Sequence, residues 1–230
     1  MACQNIWGGL MKSPRNLHDP RDIIEESCRI LEISVPTNLN EKILHYLSLL
    51  GQWNRRINLT SLTDPIDITI FHIVDSLTVF KVMPQGSGFR ILDVGTGAGF
   101  PGIVLKIADP DLNLTLLDKD AKKIVFLKYV ARELGLTDLI FLHSTLEKLF
   151  RHPMSFLFDV VVSRAFSTDS SLLTLYTSLL NPGGSVIRMA GPGDTLHGNP
   201  PVGLREEQIW EGSLPFSSHF RRVTRYTMRA

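Results

Sequence analysis

The chain has 230 residues, 43% of them hydrophobic and 20% charged, which is enough for one soluble α/β domain with an N-terminal extension. A net charge of +1 excludes a global basic field, so any nucleic-acid binding has to come from a local patch. The two cysteines, Cys3 and Cys28, argue against a disulfide framework or a zinc site and suit a reducing cytosol. No apolar run reaches the ~18 residues of a membrane span, so we expect a cytoplasmic protein with no metal and no membrane partner.

The first part of the chain is predicted to be helical. Residues 1–18 are expected to be a disordered lead, and residues 19–84 a helical extension packed on the core. Asp19 and Pro20 are a good N-cap and first helical residue for an amphipathic helix that ends near Ile33.

Two further helices are predicted before the core. Asn38 or Asn40 caps one of them, in which apolar residues recur at helical spacing as far as Trp53. Residues 65–82 form the other, and residues 84–88 are the linker that follows.

Residues 85–230 are predicted to be the core domain, in which strands and helices alternate from Phe89 onward. Strands are predicted at residues 90–94, 112–118, 139–142, 159–163 and 185–189, with candidates for two more at 202–211 and 222–228. Helices are predicted at residues 102–108, 121–134, 146–150 and 171–180, and Asn-Pro-Gly-Gly at 181–184 stops the last of them. This pattern predicts an α/β fold with a doubly wound, mostly parallel sheet, whose ligands bind at the carboxyl ends of the strands.

Glycines recur at alternate positions directly after the first predicted strand. Asp93-Val94 is followed by Gly95, Gly97 and Gly99, which predicts a tight turn against which a ligand can lie, with the N–H groups of the next helix pointing at it. The dinucleotide motif G-x-G-x-x-G fails in this register and is recovered only by sliding toward residue 102. The in-register form, D-x-G-x-G-x-G, resembles the first motif of class I S-adenosylmethionine (SAM) methyltransferases. The alternative is a glycine-rich turn without a ligand.

Two residues near this turn are candidates for cofactor contact. Asp118 ends the second predicted strand about 20 residues after Gly95, where a carboxylate can accept hydrogen bonds from both ribose hydroxyls. The alternative for Asp118 is a helix N-cap, for which Asp120 is also available. Phe100 follows the third glycine and packs either against the cofactor or in the core.

Polar residues also follow the third and fourth predicted strands. Leu146 and Glu147 lie where the adenine would sit, although Ser144 and Glu147 also fit a helix capping box. Arg164 ends a buried strand, where a charge is costly without a partner. We favour an active-site role for Arg164 over an ion pair with a surface carboxylate.

One polar pair and three basic clusters complete the candidates. His72 and Asp75 are three residues apart, which places them on one helix face. They either present polar groups to a substrate, or form a helix-surface pair, or include a buried histidine whose hydrogen bonds are satisfied. The basic clusters contact phosphate or are ordinary solvated faces, and we favour the solvated face for the lysines of helix 121–134. Their members are Arg55 and Arg56; Lys119, Lys122, Lys123 and Lys128; and Arg221, Arg222, Arg225 and Arg229.

Several short pieces match a known family in chain order. They are Leu49-Leu50-Gly51-Gln52-Trp53-Asn54, Asn58-Leu59-Thr60-Ser61, His72-Ile73-Val74-Asp75-Ser76, residues 93–102, Thr115-Leu116-Leu117-Asp118 and Ser163-Arg164-Ala165. Over roughly residues 40–190 the chain resembles the glucose-inhibited division protein B family, bacterial 16S rRNA guanine-N7 methyltransferases. The pieces upstream of the glycine turn and the Pro-Gly after it make the resemblance specific.

The resemblance implies a SAM cofactor, transfer of a methyl group to guanine N7, and 16S rRNA or a precursor of the small ribosomal subunit as partner. SAM contacts are implied at Gly95, Phe100, Leu146, Glu147 and Arg164, and the physical argument adds Gly97, Gly99 and Asp118. His72, Asp75 and Asn58 match positions on the substrate side. Where the family has lysine after the fifth strand this chain has Ala190-Gly191, and Arg188 lies two residues away.

Three other functions remain open from the sequence. They are a small-molecule SAM methyltransferase, a nicotinamide oxidoreductase that uses the shifted glycine register, and a non-catalytic RNA-binding module with the same fold. The oligomeric state and the exact target nucleotide are not predicted.

Overall fold

Two helices open the part of the chain that the structure describes. The structure is a computed structural model that describes residues 19–152, 154–164, 175–191 and 203–229, so the expectation for residues 1–18 lies outside it. Helix α1 is Pro20–Ile30, and the Asp19 carboxylate accepts a hydrogen bond from Arg21 N–H as its N-cap. Helix α2 is Leu39–Asn54, with Asn38 as an N-cap that makes no side-chain hydrogen bond.

The segment predicted as one helix at residues 65–82 is helical but irregular. It consists of α3 (Pro65–Ile68), a π-helical segment (Thr69–Val74), α4 (Asp75–Leu77) and a 3₁₀ turn (Thr78–Lys81). Periodicity alone does not show this change, because Ile70, Ile73 and Val74 in the π-helical segment have the spacing of an ordinary helix and are buried. π-helical segments are rare and occur frequently at functional sites.

Within the described residues, seven strands form one sheet. They are β1 (Arg90–Val94), β2 (Asn113–Asp118), β3 (Leu139–His143), β4 (Phe158–Ser163), β5 (Leu180–Ala190), β6 (Leu204–Ser213) and β7 (Phe220–Met228). The order is β3-β2-β1-β4-β5-β7-β6, in which β7 is antiparallel to both β5 and β6 and the other pairs are parallel. The predicted doubly wound, mostly parallel sheet is confirmed, and the two candidate tail strands form its antiparallel edge.

Three helices connect the first strands. They are α5 (Gly102–Ala108), α6 (Ala121–Glu133) and α7 (Leu146–Arg151), which follow β1, β2 and β3. Strand β1 is buried at Ile91, Leu92 and Asp93, as expected for a strand covered on both faces. None of the described helices is long and apolar enough to cross a membrane.

The fifth strand begins earlier than predicted. Leu180 pairs with Phe158, and regular pairing resumes where Ser185 faces Val160, so the pairing shifts across the Pro-Gly-Gly. The Asn181 amide donates a hydrogen bond to the Asp159 carboxylate in this stretch. The prediction of a helix ending at residue 180 is therefore wrong at its end, and residues 171–174 lie outside the described part. The sheet accommodates the turn-forming residues as a local irregularity.

Helix α2 packs across α5 and α6. Ile43 and Leu50 are fully buried in the same core as Phe126. The Trp53 ring lies 5.6 Å from the ring of Phe126 and 5.3 Å from that of Tyr129, measured between centroids. Each fully buried apolar side chain of this size contributes about 1.5–3 kcal/mol, so these contacts attach the N-terminal helices firmly to the sheet domain.

Gly102 allows α5 to begin directly against the sheet. A Cβ at this position would lie 2.4 Å from Leu116 Cδ2 and 2.6 Å from Asp93 Oδ2. Gly51, in the middle of α2, differs because a Cβ there meets no described atom within 4 Å.

We expect Gly102→Ala to lower the free energy of unfolding by about 2 kcal/mol or more, because the added methyl forces α5 away from β1 and β2. Gly51→Ala is the matched control and is expected to raise that free energy by about 0.5–1 kcal/mol through helix propensity. Urea unfolding measures both. A Gly102→Ala protein as stable as the wild type would contradict the close packing of α5.

A candidate cofactor cleft at the carboxyl ends of the strands

The glycine turn presents open backbone at the end of β1. The N–H groups of Gly95 and Thr96 donate to Leu117 O at 2.9 and 3.1 Å, which ties the turn to β2. Gly95 and Gly97 have φ values of 71° and 61°, and among the described residues the only atom within 4 Å of a Cβ at either position is Gly95 O. Gly99 is different, because its Cβ would lie 2.6 Å from Ile103 Cγ1. The first two glycines therefore leave room for a ligand, whereas the third allows close packing.

Asp118 connects this turn to the end of β2. Gly97 N–H donates to Asp118 Oδ2 at 2.8 Å, and Asp120 N–H donates to Asp118 Oδ1 at 2.8 Å. Of the two carboxylates considered as N-cap of α6, Asp120 has that role, since it accepts from Lys122 N–H at 2.8 Å. Each Asp118 oxygen keeps a second lone pair, so the carboxylate remains able to accept hydrogen bonds from a ligand.

Asp93 lies beneath the turn and supports α5. It is completely buried, and Gly102 N–H donates to its Oδ2 at 2.9 Å. Burial raises the pKa of the Asp93 carboxyl to about 6, and the hydrogen bond from Gly102 N–H opposes the rise. This carboxylate thus satisfies the first N–H group of the helix that begins after the turn.

The Phe100 ring packs against the N-terminal helices. It stacks on His72 with 4.5 Å between ring centroids and lies 5.6 Å from Tyr46 in a tilted arrangement. Only 7% of Phe100 is exposed. The Tyr46 hydroxyl donates to Ala98 O at 2.5 Å, so α2 makes a second contact with the glycine turn besides that of Asp118.

His72 belongs to the π-helical segment and is held as a neutral imidazole. Its Nδ1 lies 3.0 Å from Phe71 O, which only accepts, so Nδ1 carries the proton. Nε2 then accepts from the Thr60 hydroxyl at 2.7 Å, and that hydroxyl accepts from Leu62 N–H at 3.1 Å. Burial and the nearby Arg164 lower the pKa of His72 to about 4.

Asn54 arranges the loop that contains Thr60. Its side-chain oxygen accepts from the N–H groups of Leu59 and Thr60 at 2.9 and 3.0 Å, and its amide donates to Thr60 O at 2.9 Å. Asn58, in the same loop, is exposed. The loop therefore places Asn58 in solvent while Thr60 contacts His72.

Asp75 lies between two arginines. Arg221 Nε donates to Asp75 Oδ1 at 3.0 Å, and Arg164 Nε lies 3.5 Å from Asp75 Oδ2. Asp75 is only 1% exposed; burial raises its pKa, and the two guanidinium groups oppose the rise. Arg164 also donates to Phe71 O at 2.9 Å, and 28% of its side chain is exposed. Arg164 thus pairs with a buried carboxylate, and the alternative of a surface carboxylate is wrong.

Helix α7 begins one residue later than the predicted capping box requires. Its N-cap is Thr145, whose side chain accepts from Lys148 N–H at 3.3 Å, so the capping box from Ser144 is wrong. Ser144 N–H instead donates to Asp118 O at 3.1 Å, next to the β2–β3 pairing. Leu146 is 6% exposed, whereas Glu147 is exposed and a hydrogen bond from Thr145 lowers its pKa.

The sequence does not single out three residues that build this site. Tyr46 lies in the apolar stripe of α2, and Asn54 lies in one of the pieces that match the family, so both carry a weak signal. Arg221 is one member of the basic tail cluster, and its partner Asp75 is 146 residues away. No pattern in the chain pairs these two residues before β7 is placed in the sheet.

Comparison with known sequences gives a consistent family. A model of the GidB family, described as rRNA small subunit methyltransferase G, matches residues 39–196. A Burkholderia multivorans protein named "Ribosomal RNA small subunit methyltransferase G" is 36% identical over 204 residues, which cover 85% of this chain and 88% of the relative. A protein of the same name from Alkaliphilus metalliredigens is 35% identical over 171 residues, covering 74% and 72%.

Comparison with solved structures shows the fold. A SAM-dependent methyltransferase from Aquifex aeolicus has a TM-score of 0.52 at 16% identity, covering 72% of this chain and 94% of its own. A putative O-methyltransferase from Klebsiella pneumoniae has a TM-score of 0.55 at 16% identity, covering 80% and 90%. The fold is therefore the Rossmann-like fold of class I SAM-dependent methyltransferases.

We expect the free energy of unfolding to decrease as the pH is lowered, because the unfolded chain protonates His72 more readily than the folded chain does. The unfolded chain gains a proton near pH 6.5, whereas folded His72 stays neutral to about pH 4, so the wild type loses stability across that window. His72→Gln removes the titration, and its free energy of unfolding should rise relative to wild type by about 2 kcal/mol between pH 7.5 and 4.5. Urea unfolding at both pH values measures this, and a pH-independent difference would contradict a neutral buried imidazole.

Proposed function

Because this chain belongs to the GidB family of small-subunit rRNA methyltransferases, we propose that it methylates N7 of a guanine in 16S rRNA. It is a SAM-dependent methyltransferase that acts on rRNA. The observation that carries the assignment of the cleft is the Gly97–Asp118 hydrogen bond, which joins open glycine backbone to a carboxylate at the end of two adjacent strands.

The groups around the glycine turn fit SAM. Gly95 and Gly97 leave open space beside the backbone, and Asp118 still has lone pairs for ribose hydroxyls. The ligand carries no pyrophosphate, which agrees with Asp93 satisfying the first N–H group of α5. When bound, SAM supplies an electrophilic methyl group on a sulfonium, and guanine N7 supplies a free lone pair.

Several residue roles are part of the proposal. The cofactor is bound by Gly95, Gly97 and Asp118, and on the adenine side by Leu146 and Glu147. The structure supports the last two by placing α7 directly after the Ser144–Asp118 contact.

The remaining assigned residues surround the acceptor. Gly99 and Phe100 hold the turn in position through their packing contacts, and the Phe100 ring stacks on His72. Arg164, held by Asp75, has an exposed edge with which to contact the cofactor. Asn58 is exposed on the loop next to His72 and is available to the substrate.

No general base is needed in this reaction, because guanine N7 carries no proton. The protein then contributes by aligning the sulfonium methyl group with guanine N7 and by excluding arrangements in which the two do not meet. N7 faces the major groove, which is deep and narrow in A-form RNA, so the target is a base in a loop or bulge. A neutral His72 suits this role, since it adds no cation beside a positively charged sulfonium.

The proposal extends to organisation and location. Residues 19–84 are a helical extension that completes the cleft, and residues 85–230 are the SAM-binding core. The protein acts in the cytoplasm on 16S rRNA or on a precursor of the small subunit, and it needs no membrane.

Mapping methyl groups on ribosomal RNA tests the function. The substrate is 16S rRNA, free or in small subunits, from a strain that lacks the gene. Purified protein with labelled SAM is expected to methylate it, and chemical cleavage of the RNA strand at the modified nucleotide should locate the methyl group at guanine N7. A methyl group at another atom would contradict the N7 assignment. Methyl transfer to small molecules without RNA would instead favour the small-molecule enzyme.

Asp118→Asn tests the cofactor site. We expect SAM to bind roughly 10–100-fold more weakly, because one oxygen of a charged acceptor is replaced by a donor. Asp120→Asn is the control, since Asn caps a helix as well as Asp and the side chain lies outside the turn. Isothermal titration with SAM measures both, and wild-type affinity in Asp118→Asn would exclude the proposed ribose contact.

A further inference from the structure

The three basic clusters differ in what already neutralises them. In the tail, Arg221 pairs with Asp75, Arg222 lies 3.2 Å from Glu211, and Arg225 lies 3.6 Å from Glu207. An arginine already paired with a carboxylate gains little from a phosphate, because it must give up one anion for another. These three arginines are therefore poor candidates for contact with a nucleic-acid backbone, and the fourth member of the tail cluster, Arg229, is a single exposed cation.

Arg55 and Arg56 are in a different situation. Both are exposed, and neither forms an ion pair with any residue in the described ranges. They directly follow Trp53, which packs on α6, and Asn54, which holds the loop that contacts His72. The two cations are thus placed between α6 and the loop beside the cleft.

The start of α6 carries the second pair of free cations. Lys119 follows Asp118 immediately, Lys122 lies in the first turn of α6, and both are exposed without an ion pair among the described residues. Lys119 O also lies 3.1 Å from His143 Nε2 at the end of β3. These two lysines therefore stand beside the candidate ribose carboxylate at the mouth of the cleft.

The sequence strengthens this picture through the absence of acids. Residues 42–63 and residues 121–132 hold seven Lys or Arg and no Asp or Glu, and of the seven only Arg132 forms an ion pair among the described residues, with Glu133. The Trp53 contacts with Phe126 and Tyr129 bring these two segments together. Since the whole chain has a net charge of only +1, the rest of it is net negative and the positive field is concentrated here.

We propose that Arg55, Arg56, Lys119 and Lys122 form the surface that binds the phosphate backbone of the RNA substrate, here called the basic rim. This inference rests on the proposed function and adds to it the face on which the RNA lies. Phosphates on the rim flank the extruded base, so that the backbone stays outside the cleft while one guanine enters. The rim provides affinity without reading sequence, which leaves selection of the guanine to the cleft.

The test compares charge-matched variants. Arg55→Gln/Arg56→Gln removes two rim cations, and Arg29→Gln/Arg205→Gln removes two cations that already pair with Glu26 and Glu207. Each protein is titrated with unmethylated 16S rRNA, free and in small subunits, at several salt concentrations. SAM affinity and the thermal midpoint are measured alongside, to show that each variant is folded.

The rim variant is expected to bind RNA about tenfold more weakly at physiological salt, with a log–log salt slope shallower by about 1.4–1.8. Its KM for RNA should rise while its kcat and SAM affinity stay at wild-type values. The control should keep the wild-type RNA affinity and slope. Lys119→Gln/Lys122→Gln should reproduce the effect of the rim variant.

The opposite result is equally clear. If Arg55→Gln/Arg56→Gln binds RNA with wild-type affinity and slope, or if the wild type binds neither form of 16S rRNA, the basic rim is not the docking surface. Failure of the proposed function looks different, because wild-type protein would then bind RNA without placing a methyl group at N7. The affinity comparison still decides the location of the surface in that case.

Discussion

The hydrogen bond from Gly97 N–H to the Asp118 carboxylate is the contact on which the site depends. It joins the turn after β1 to the end of β2. The bond is charge-assisted because its acceptor is a carboxylate, and it is largely shielded from water because Asp118 is buried. Such bonds contribute about 1.5–3 kcal/mol, enough to hold a turn whose glycines would otherwise sample many conformations. The Tyr46 hydroxyl also holds this turn, by donating a hydrogen bond to Ala98 O. The open backbone at the cleft is therefore rigid before any ligand binds.

The N-terminal helices are part of the site rather than an addition to it. His72 stacks on Phe100, and Thr60, held by Asn54, orients His72 from the other side. Half-buried His72 and buried Asp93 make this region sensitive to pH in opposite ways. Neutral His72 costs stability as pH falls from 6.5 to about 4, whereas Asp93, with its pKa raised to about 6, loses an unfavourable buried charge over nearly the same range. The two effects on the free energy of unfolding partly cancel, so the pH dependence of the wild type alone reveals neither of them.

Local patterns predicted the sheet and the glycine turn because both depend on neighbours in sequence. The apolar runs of β1 to β4 and the turn after Val94 are confirmed within a few residues at their ends. The features that local patterns did not predict depend on pairing between strands that are distant in sequence. Arg221 meets Asp75 from β7, which pairs antiparallel with β5, and β5 starts at Leu180, which pairs with Phe158 before the irregular stretch. The π-helical segment likewise has the apolar spacing of an ordinary helix.

The distribution of charge separates two tasks. Two carboxylates bond to backbone N–H groups here, Asp118 at the glycine turn and Asp93 buried beneath it, and their negative charge suits a cationic sulfonium. A phosphate brought close to them would be repelled, and leaving water would add to the cost. The exposed cations lie outside, beside α6 and the loop after Asn54. In the proposed complex, the RNA strand lies at the margin of the site and only a base, which is uncharged, enters its centre.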